Sequence, residues 1–191
     1  MAVFVSERVE TDQIDHARDF VKRLRLLSRE DLVLLRRNAG KTIDESRGVA
    51  KLHRLLVEEI SEHDEVHFLL ATLFALNRLE FQGNFGRSMS SLGGRIGRDE
   101  VEHRFRALLD SEFYTSDGLW ITGGGLSLHL RQLVRLAETN RVGIDWVQLL
   151  VDLCDWDDRY RRVQKEWAES FYAPRARNAS AESLIDGKGR A

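Results

Sequence analysis

The sequence predicts an all-α fold, and three observations support that prediction. Only one proline, Pro174, occurs among 191 residues, where an average usage of about 5% would place roughly nine. Because proline breaks helices and marks turns, its absence from the preceding positions favours long helices over many short strands. Apolar residues also recur at spacings of three and four along most of the chain. Glycine-rich stretches, rather than prolines, separate these periodic blocks.

The first half of the chain contains four predicted helices. Residues 9–27 place their apolar side chains on one face, and Ser28 is the predicted N-cap of a second helix at residues 32–38. A third helix is predicted at residues 49–60, and a fourth at residues 66–76 is apolar nearly all round, which indicates a central position. The polar face of the third helix carries a row of cations: Arg47, Lys51 and Arg54.

The second half contains four more predicted helices, separated by irregular stretches. Residues 98–109 and 126–139 have helical periodicity, with a second irregular stretch at residues 111–125 between them. Residues 142–154 form the next predicted helix, and the last begins near Asp155. Four aspartates lie near the start of that helix: Asp152, Asp155, Asp157 and Asp158. The preferred interpretation is that the helix dipole favours their negative charge there, and a divalent-cation site is the alternative. Its apolar stripe is Trp156, Tyr160, Val163, Trp167 and Phe171.

These elements predict a two-lobed helical bundle with glycine-rich connecting loops. The N-terminal lobe is predicted at residues 1–82 and the C-terminal lobe at residues 98–173. A Gly- and Ser-rich connection, residues 83–97, joins them. Residues 174–191 are small, polar and without periodicity, which predicts a disordered tail.

Several function classes are disfavoured by composition. Cys154 is the only cysteine, which excludes an internal disulfide and a cysteine-based zinc site and is typical of a reducing compartment. The longest apolar run, residues 66–76, is far shorter than the roughly 20 residues of a membrane span. The sequence therefore predicts a soluble, cytoplasmic protein without a membrane partner.

Candidate catalytic and metal sites are weak. His63 and His67 have the four-residue spacing that lets two imidazoles face one metal, but no third or fourth ligand is evident, so a solvated or core histidine pair is the preferred interpretation. Cys154 has no adjacent base and is predicted to be a buried structural thiol. The glycine-rich stretches lack the lysine and spacing of nucleotide-binding loops. We therefore predict no catalytic residue, no cofactor and no bound metal.

The arginines are the informative feature. They account for 24 of the 29 basic residues in a chain of net charge −2, and guanidinium groups bind phosphates bidentately. Arg131 and Arg135 share a helical row that has no carboxylate before Glu138. Arg36 and Arg37 close the second helix, where its dipole also favours cations. Two other arginines, Arg104 and Arg106, lie beside Glu100 and Glu102 and have intrahelical ion pairs as an alternative.

The order of several short motifs resembles the small subunit of the type I-E CRISPR surveillance complex, Cascade, the family called CasB. The resemblance covers about residues 15–172 and depends on order and spacing, because each motif is an ordinary helix fragment. The motifs are LLRR at 34–37, LHRLL at 52–56, SLG at 91–93, EHRF at 102–105, ALL at 107–109, LRQLV at 130–134, IDW at 144–146 and the aromatic and basic segment 156–171.

The resemblance implies an all-helical, non-enzymatic subunit that pairs with a second copy and with other Cascade subunits. It implies contact with the guide RNA and the target DNA strand, and stabilisation of the displaced non-target strand. Two departures from the family are the stretch 111–125, an apparent insertion, and the negative charges of Asp157 and Asp158. The implied nucleic-acid-binding residues, together with Arg135 from the row above, are Arg36, Arg37, Arg54, Arg104, Arg131, Arg135, Arg159, Arg161 and Arg162.

The leading hypothesis is therefore sequence-independent binding of nucleic-acid backbone, with R-loop stabilisation as its role in antiviral defence. Arg131 and Arg104 are the residues that we expect to matter most. The alternative is a helical scaffold or adaptor that contacts only proteins. A metal-dependent hydrolase that uses His63 and His67 is the third and least favoured hypothesis.

Overall fold

The structure is a computed structural model that describes residues 2–43, 45–48, 64–113 and 125–173. Over these ranges the chain forms eight helices and no strand, which confirms the all-α prediction. The helices are α1 (Ala2–Arg25), α2 (Arg29–Arg37), α3 (Asp64–Phe74), α4 (Phe85–Ile96), α5 (Arg98–Leu109), α6 (Leu126–Thr139), α7 (Trp146–Cys154) and α8 (Arg162–Tyr172). None of these helices has the length and apolarity needed to cross a membrane.

Helix α2 begins where the sequence predicts. The Ser28 hydroxyl accepts a hydrogen bond from the backbone N–H of Asp31 at 3.2 Å, so Ser28 is the N-cap. Asn38 follows the helix and is buried, and its side chain donates to the Arg47 carbonyl at 3.1 Å and accepts from the Arg47 N–H at 3.0 Å. These two bonds hold the loop after α2 closed, because they join Asn38 at its start to Arg47 nine residues later.

Helix α4 corrects the predicted connection at residues 83–97. Asn84 caps the helix by accepting from the Arg87 N–H at 3.1 Å, and Phe85, Met89 and Leu92 are buried on one face. Gly86 lets α8 approach closely, because a Cβ there would lie 2.0 Å from the Trp167 carbonyl oxygen. Gly86, one of the glycines that suggested a loop, is therefore a contact position between helices. The division into two lobes stays a prediction.

The last helix begins later than predicted, at Arg162 rather than near Asp155. Trp156 is buried ahead of the helix and donates from its indole to the Ser111 carbonyl at 3.0 Å, which holds residues 155–161 in a turn. The predicted aromatic stripe is thus split between turn and helix, and Tyr160 is exposed. Trp156 and Trp167 pack together in the core with ring centroids 4.9 Å apart.

The predicted cluster of aspartates is also dispersed. Asp152 belongs to α7 and is buried, where it accepts from the Trp167 indole at 2.6 Å and from Gln148 Nε2 at 2.8 Å. Asp157 accepts from the backbone N–H of Phe113, and Asp158 forms an ion pair within the turn. The loops before α4 and α7 meet at a single parallel bridge between Glu80 and Ile144.

Some predictions fall on residues outside those that the structure describes. These are most of the third predicted helix with Lys51 and Arg54, His63, most of the stretch 111–125, and the tail 174–191.

Candidate nucleic-acid interface

Arg131 and Arg135 lie one turn apart on α6, as the sequence predicts. Arg131 is half-buried and Arg135 is exposed. Partial burial and the nearby charge of Arg135 both lower the pKa of Arg131 below its ordinary value, although a guanidinium stays charged at neutral pH. Among the described residues no carboxylate forms an ion pair with either arginine. The two guanidinium groups therefore repel each other with no paired carboxylate in the described part of the chain, and an anion placed between them relieves that repulsion.

The C-terminal end of α2 lies beside Arg131. Gly40, which has a φ of +79°, is so close that a Cβ there would lie 2.8 Å from Arg131 Cδ. Arg37, in the last turn of α2, is exposed, and Arg36 Nε donates to the Ala75 carbonyl at 2.9 Å. The fold therefore packs the loop that follows Arg36 and Arg37 against the stem of Arg131. We call these four arginines the α2–α6 group: Arg36, Arg37, Arg131 and Arg135.

Arg104, on α5, has a different environment. Its guanidinium donates to Glu100 Oε1 at 2.6 Å and to the Glu100 carbonyl at 2.9 Å. Among the described residues Glu102 forms no ion pair with Arg106, which is the alternative that their spacing offered. Glu102 Oε1 instead accepts a hydrogen bond from the Tyr172 hydroxyl at 2.9 Å. The charge of Arg104 is therefore compensated within its own helix.

Three more arginines lie in the turn between α7 and α8 and at the first position of α8. Arg162 Nε pairs with Asp158 Oδ2 at 3.0 Å, and Arg161 donates to the Leu109 carbonyl at the end of α5. Arg159 covers the ring of Tyr160, with the guanidinium carbon 4.3 Å from the ring centroid. Together with Arg104 these residues form the α5–α8 group: Arg104, Arg159, Arg161 and Arg162.

The structure thus divides the predicted arginines into two groups, with Arg54 outside the described residues. Sequence reasoning did not select Arg95, in the last turn of α4, or Arg141, which follows the C-terminal end of α6. Arg95 donates to the Asn140 carbonyl at 2.7 Å, and Arg141 has a φ of +56°. Only the packing of α4 on α6 reveals the first of these, because Arg95 and Asn140 are distant in sequence.

The two described candidates for catalytic residues, His67 and Cys154, pack in or against the core. His67 is buried, with its Nε2 3.3 Å from His16 Nε2 and its ring edge-on to Phe20. Burial raises the pKa of the Cys154 thiol to about 12, so the thiol is protonated at neutral pH. Within the described ranges no three His, Cys, Asp or Glu side chains are grouped to hold a metal ion.

Comparison with known proteins identifies the family. A model of the family described as CRISPR-associated protein Cse2 matches residues 31–172, which is most of the chain. The chain belongs to the CRISPR-associated Cse2 family. The family predicted from the order of the motifs is thereby confirmed. The matched range runs from α2 to the end of α8 and contains both groups of arginines.

A curated Cse2-family relative agrees with this assignment. The CRISPR-associated protein Cse2 of Thermus thermophilus is 35% identical over 127 residues, which are 65% of this chain and 66% of the relative. The alignment therefore spans slightly less than two thirds of that relative.

Solved structures share the fold. A crystal structure of CasB from M. ruber has a TM-score of 0.64 and 26% identity, covering 82% of this chain and 92% of that one. A Cse2-family protein of Thermus thermophilus has a TM-score of 0.63 and 26% identity, covering 84% and 98%. A chain of a CRISPR RNA-guided surveillance complex has a TM-score of 0.68 at 24% identity, covering 83% and 92%, and shows likeness of fold.

Proposed function

We propose that this Cse2-family chain is a non-catalytic small subunit of a CRISPR RNA-guided surveillance complex, and that it binds the phosphate backbone of a nucleic-acid strand. Its partners are a second copy of the chain, the other Cascade subunits, the guide RNA and the target and non-target DNA strands. In this role it stabilises the open R-loop, because every phosphate that it contacts favours the displaced strand over the rewound duplex.

The adjacency of Arg131 and Arg135 is the observation that carries the proposal. Two uncompensated guanidinium groups one helical turn apart bind an anion more favourably than paired ones, since no ion pair has to be broken first. Partial burial strengthens the interaction because Arg131 is less screened by water. Arg37 adds an exposed cation at the end of α2, three residues before the Gly40 that contacts Arg131.

A backbone contact of this kind is independent of sequence. Guanidinium groups on phosphate oxygens position a strand without reading its bases, so base pairing with the guide supplies the choice of target. The paired arginines, Arg104 and Arg162, contribute less because their charges are already compensated by Glu100 and Asp158. Arg159 and Arg161 add peripheral contacts, and Arg54 is a further proposed contact.

The test is the salt dependence of binding. The full chain is titrated onto a labelled single-stranded DNA of about 12 nucleotides at several salt concentrations. Binding of the unmodified chain weakens as the salt concentration rises. Arg131→Glu with Arg135→Glu reduces affinity roughly 100-fold. The double variant also makes the slope of log affinity against log salt less negative by about 1.4, because two phosphate contacts are lost. In the complete complex the same variant shortens R-loop lifetime.

The matched control reverses two other arginines. Arg18 and Arg25 are paired with Asp15 and Glu80, both at 2.7 Å, so Arg18→Glu with Arg25→Glu changes net charge equally on α1 rather than on α6. That control retains most of the affinity. Equal losses in both double variants would show that only net charge matters, and the proposed surface would then be wrong.

The competing function is an adaptor that contacts proteins alone. In that function the exposed side chain of Leu26, 79% accessible immediately after α1, is a protein contact. An adaptor predicts no salt-dependent retention on single-stranded DNA, in isolation or in the complex, and a loss of complex assembly on Leu26→Asp.

A further inference from the structure

Tyr160 is an exposed aromatic ring whose surroundings are ordered. It lies in the turn before α8 and is 56% exposed, although its neighbours in the aromatic stripe are buried. The guanidinium of Arg159 lies over the ring, 4.3 Å from its centroid, and the same group donates to the Tyr160 hydroxyl. One side of the ring is thus covered by a cation while more than half of the side chain stays accessible.

The turn is fixed to the core at both ends. Trp156 is buried on its N-terminal side, and Val163 is buried on its C-terminal side. Between them the backbone N–H of Asp158 donates to the Asp155 carbonyl at 3.2 Å, and the backbone N–H of Arg161 donates to the Asp158 carbonyl at 2.8 Å. Since the backbone of Tyr160 is held in this way, little conformational entropy is lost when another planar group packs on its ring.

Arg161 adds a further restraint. It has a left-handed backbone with a φ of +53°, and its guanidinium donates to the Leu109 carbonyl at the end of α5. A left-handed conformation is costly for a residue with a Cβ and persists where the surroundings enforce it. The turn therefore displays Tyr160 through contacts with two other elements.

Charge by itself does not make this turn a phosphate site. Its three arginines are balanced by Asp155, Asp157 and Asp158, and the Asp158 carboxylate pairs with Arg162. What the turn offers is an aromatic surface backed by a cation. Every nucleobase has a flat π face that stacks on such a surface without regard to sequence.

We propose that Tyr160, backed by Arg159, is a stacking platform for an unpaired nucleobase. This inference rests on the proposed function, since it gives the bound strand a contact to a base in addition to its contacts with phosphates. A stacked base is held out of a duplex, so the contact selects single strands. DNA and RNA bases share this chemistry, and the experiment below separates them.

Tyr172 provides an internal comparison. It is also exposed, at 43%, and it also has an arginine over its ring, Arg98 at 5.8 Å. However, its hydroxyl is bound to the Glu102 carboxylate, which repels a nearby phosphate backbone. Tyr172 is therefore the matched control for loss of a surface tyrosine.

The experiment compares base-containing and abasic strands. The full chain and its Tyr160→Ala, Tyr160→Trp and Tyr172→Ala variants are titrated onto oligothymidine DNA, oligouridine RNA and an abasic DNA of equal length. Tyr160→Ala weakens binding to at least one base-containing strand about tenfold and leaves abasic binding unchanged, because one stack is lost. The salt slope is unchanged, and Tyr160→Trp restores affinity. The strand that responds identifies DNA or RNA as the source of the base.

A second readout is photocrosslinking of a strand carrying 5-iodouracil, followed by mass spectrometry of the crosslinked peptide. The crosslink is expected on the peptide containing Tyr160. If Tyr160→Ala binds both base-containing strands as tightly as the unmodified chain while Arg131→Glu with Arg135→Glu does not, the platform is wrong and the proposed function stands. Absence of binding by the unmodified chain to all strands contradicts both.

Discussion

The two groups of arginines differ in what surrounds each guanidinium. In the α2–α6 group, Arg131 and Arg135 lie next to each other, and the described part of the chain places no carboxylate in an ion pair with either. In the α5–α8 group, Arg104 and Arg162 pair with Glu100 and Asp158, each four residues earlier. The helical repeat explains both arrangements, since positions four apart are neighbours.

This difference shows why the number of arginines is a poor guide to function. A paired guanidinium on the surface contributes little to folding, and it must lose its partner before it binds a phosphate strongly. The unpaired α2–α6 group is therefore expected to dominate backbone binding, and the α5–α8 group to contribute through the exposed ring of Tyr160. Four sets of substitutions test this difference.

The largest expected effect concerns Asp152, which supports the turn of the α5–α8 group by holding Trp167. Burial raises its pKa to about 6 despite hydrogen bonds from Gln148 and Trp167. Because the folded state binds the proton more tightly than the unfolded state, stability falls as pH rises from about 4 to about 6 and stays lower above that. A shift of about two units corresponds to ~3 kcal/mol.

Asp152→Asn removes this titration while an amide oxygen still accepts from Trp167. Chemical unfolding at pH 4 and pH 7 should show the free energy of unfolding of the unmodified chain declining by about 3 kcal/mol relative to the variant. Asp155→Asn, at an exposed neighbouring position, is the control and follows the unmodified chain. Parallel pH profiles for Asp152→Asn and the unmodified chain would contradict the prediction.

The second perturbation compares the two groups directly. Arg131→Ala with Arg135→Ala is expected to weaken binding of single-stranded DNA about 30-fold, because two uncompensated charges are removed. Arg104→Ala with Arg162→Ala removes two paired charges and weakens binding about threefold. Fluorescence anisotropy at one salt concentration measures both. Equal losses would mean that pairing in the free protein does not limit binding.

The third perturbation tests whether the close approach of Gly40 to Arg131 positions the α2–α6 group. Gly40→Ala places a Cβ 2.8 Å from Arg131 Cδ in a left-handed backbone, which displaces the arginine stem. Gly97→Ala is the matched control, since its φ of +105° is also positive but nothing lies within 4 Å. Gly40→Ala loses about 1 kcal/mol of stability, and Gly97→Ala loses roughly 1–3 kcal/mol, because its ψ of 135° places it outside the left-handed helical region. Only Gly40→Ala should weaken DNA binding, about threefold, and a similar loss in Gly97→Ala counts against positioning.

The smallest effect is a gain. Glu100→Gln releases Arg104 from its ion pair and is expected to strengthen DNA binding about twofold and to steepen its salt dependence. Asp15→Asn, which releases Arg18 on α1 in the same way, leaves binding unchanged. Unaltered affinity in Glu100→Gln would remove Arg104 from the proposed binding surface.

Much of the helical framework was predictable from local signals. The bounds of α5 and α6 agree with the periodicity, and Ser28 caps α2 as expected, because these features depend on neighbours within one turn. Helix α4 was not predicted, because its glycines weaken helix propensity. The close contact that requires Gly86 is made with α8, which is distant in sequence. The late start of α8 likewise depends on a hydrogen bond from Trp156 to Ser111.

By itself the sequence determined the helical class, most helix positions, the family and the intrahelical neighbours of each arginine. All of these depend on order and on spacings of three and four. The tertiary structure alone decided that Gly40 meets Arg131, that Arg161 reaches the end of α5 and that Tyr160 stays exposed. Contacts between elements depend on how the helix faces pack against one another, and the periodicity of a single helix does not specify that packing.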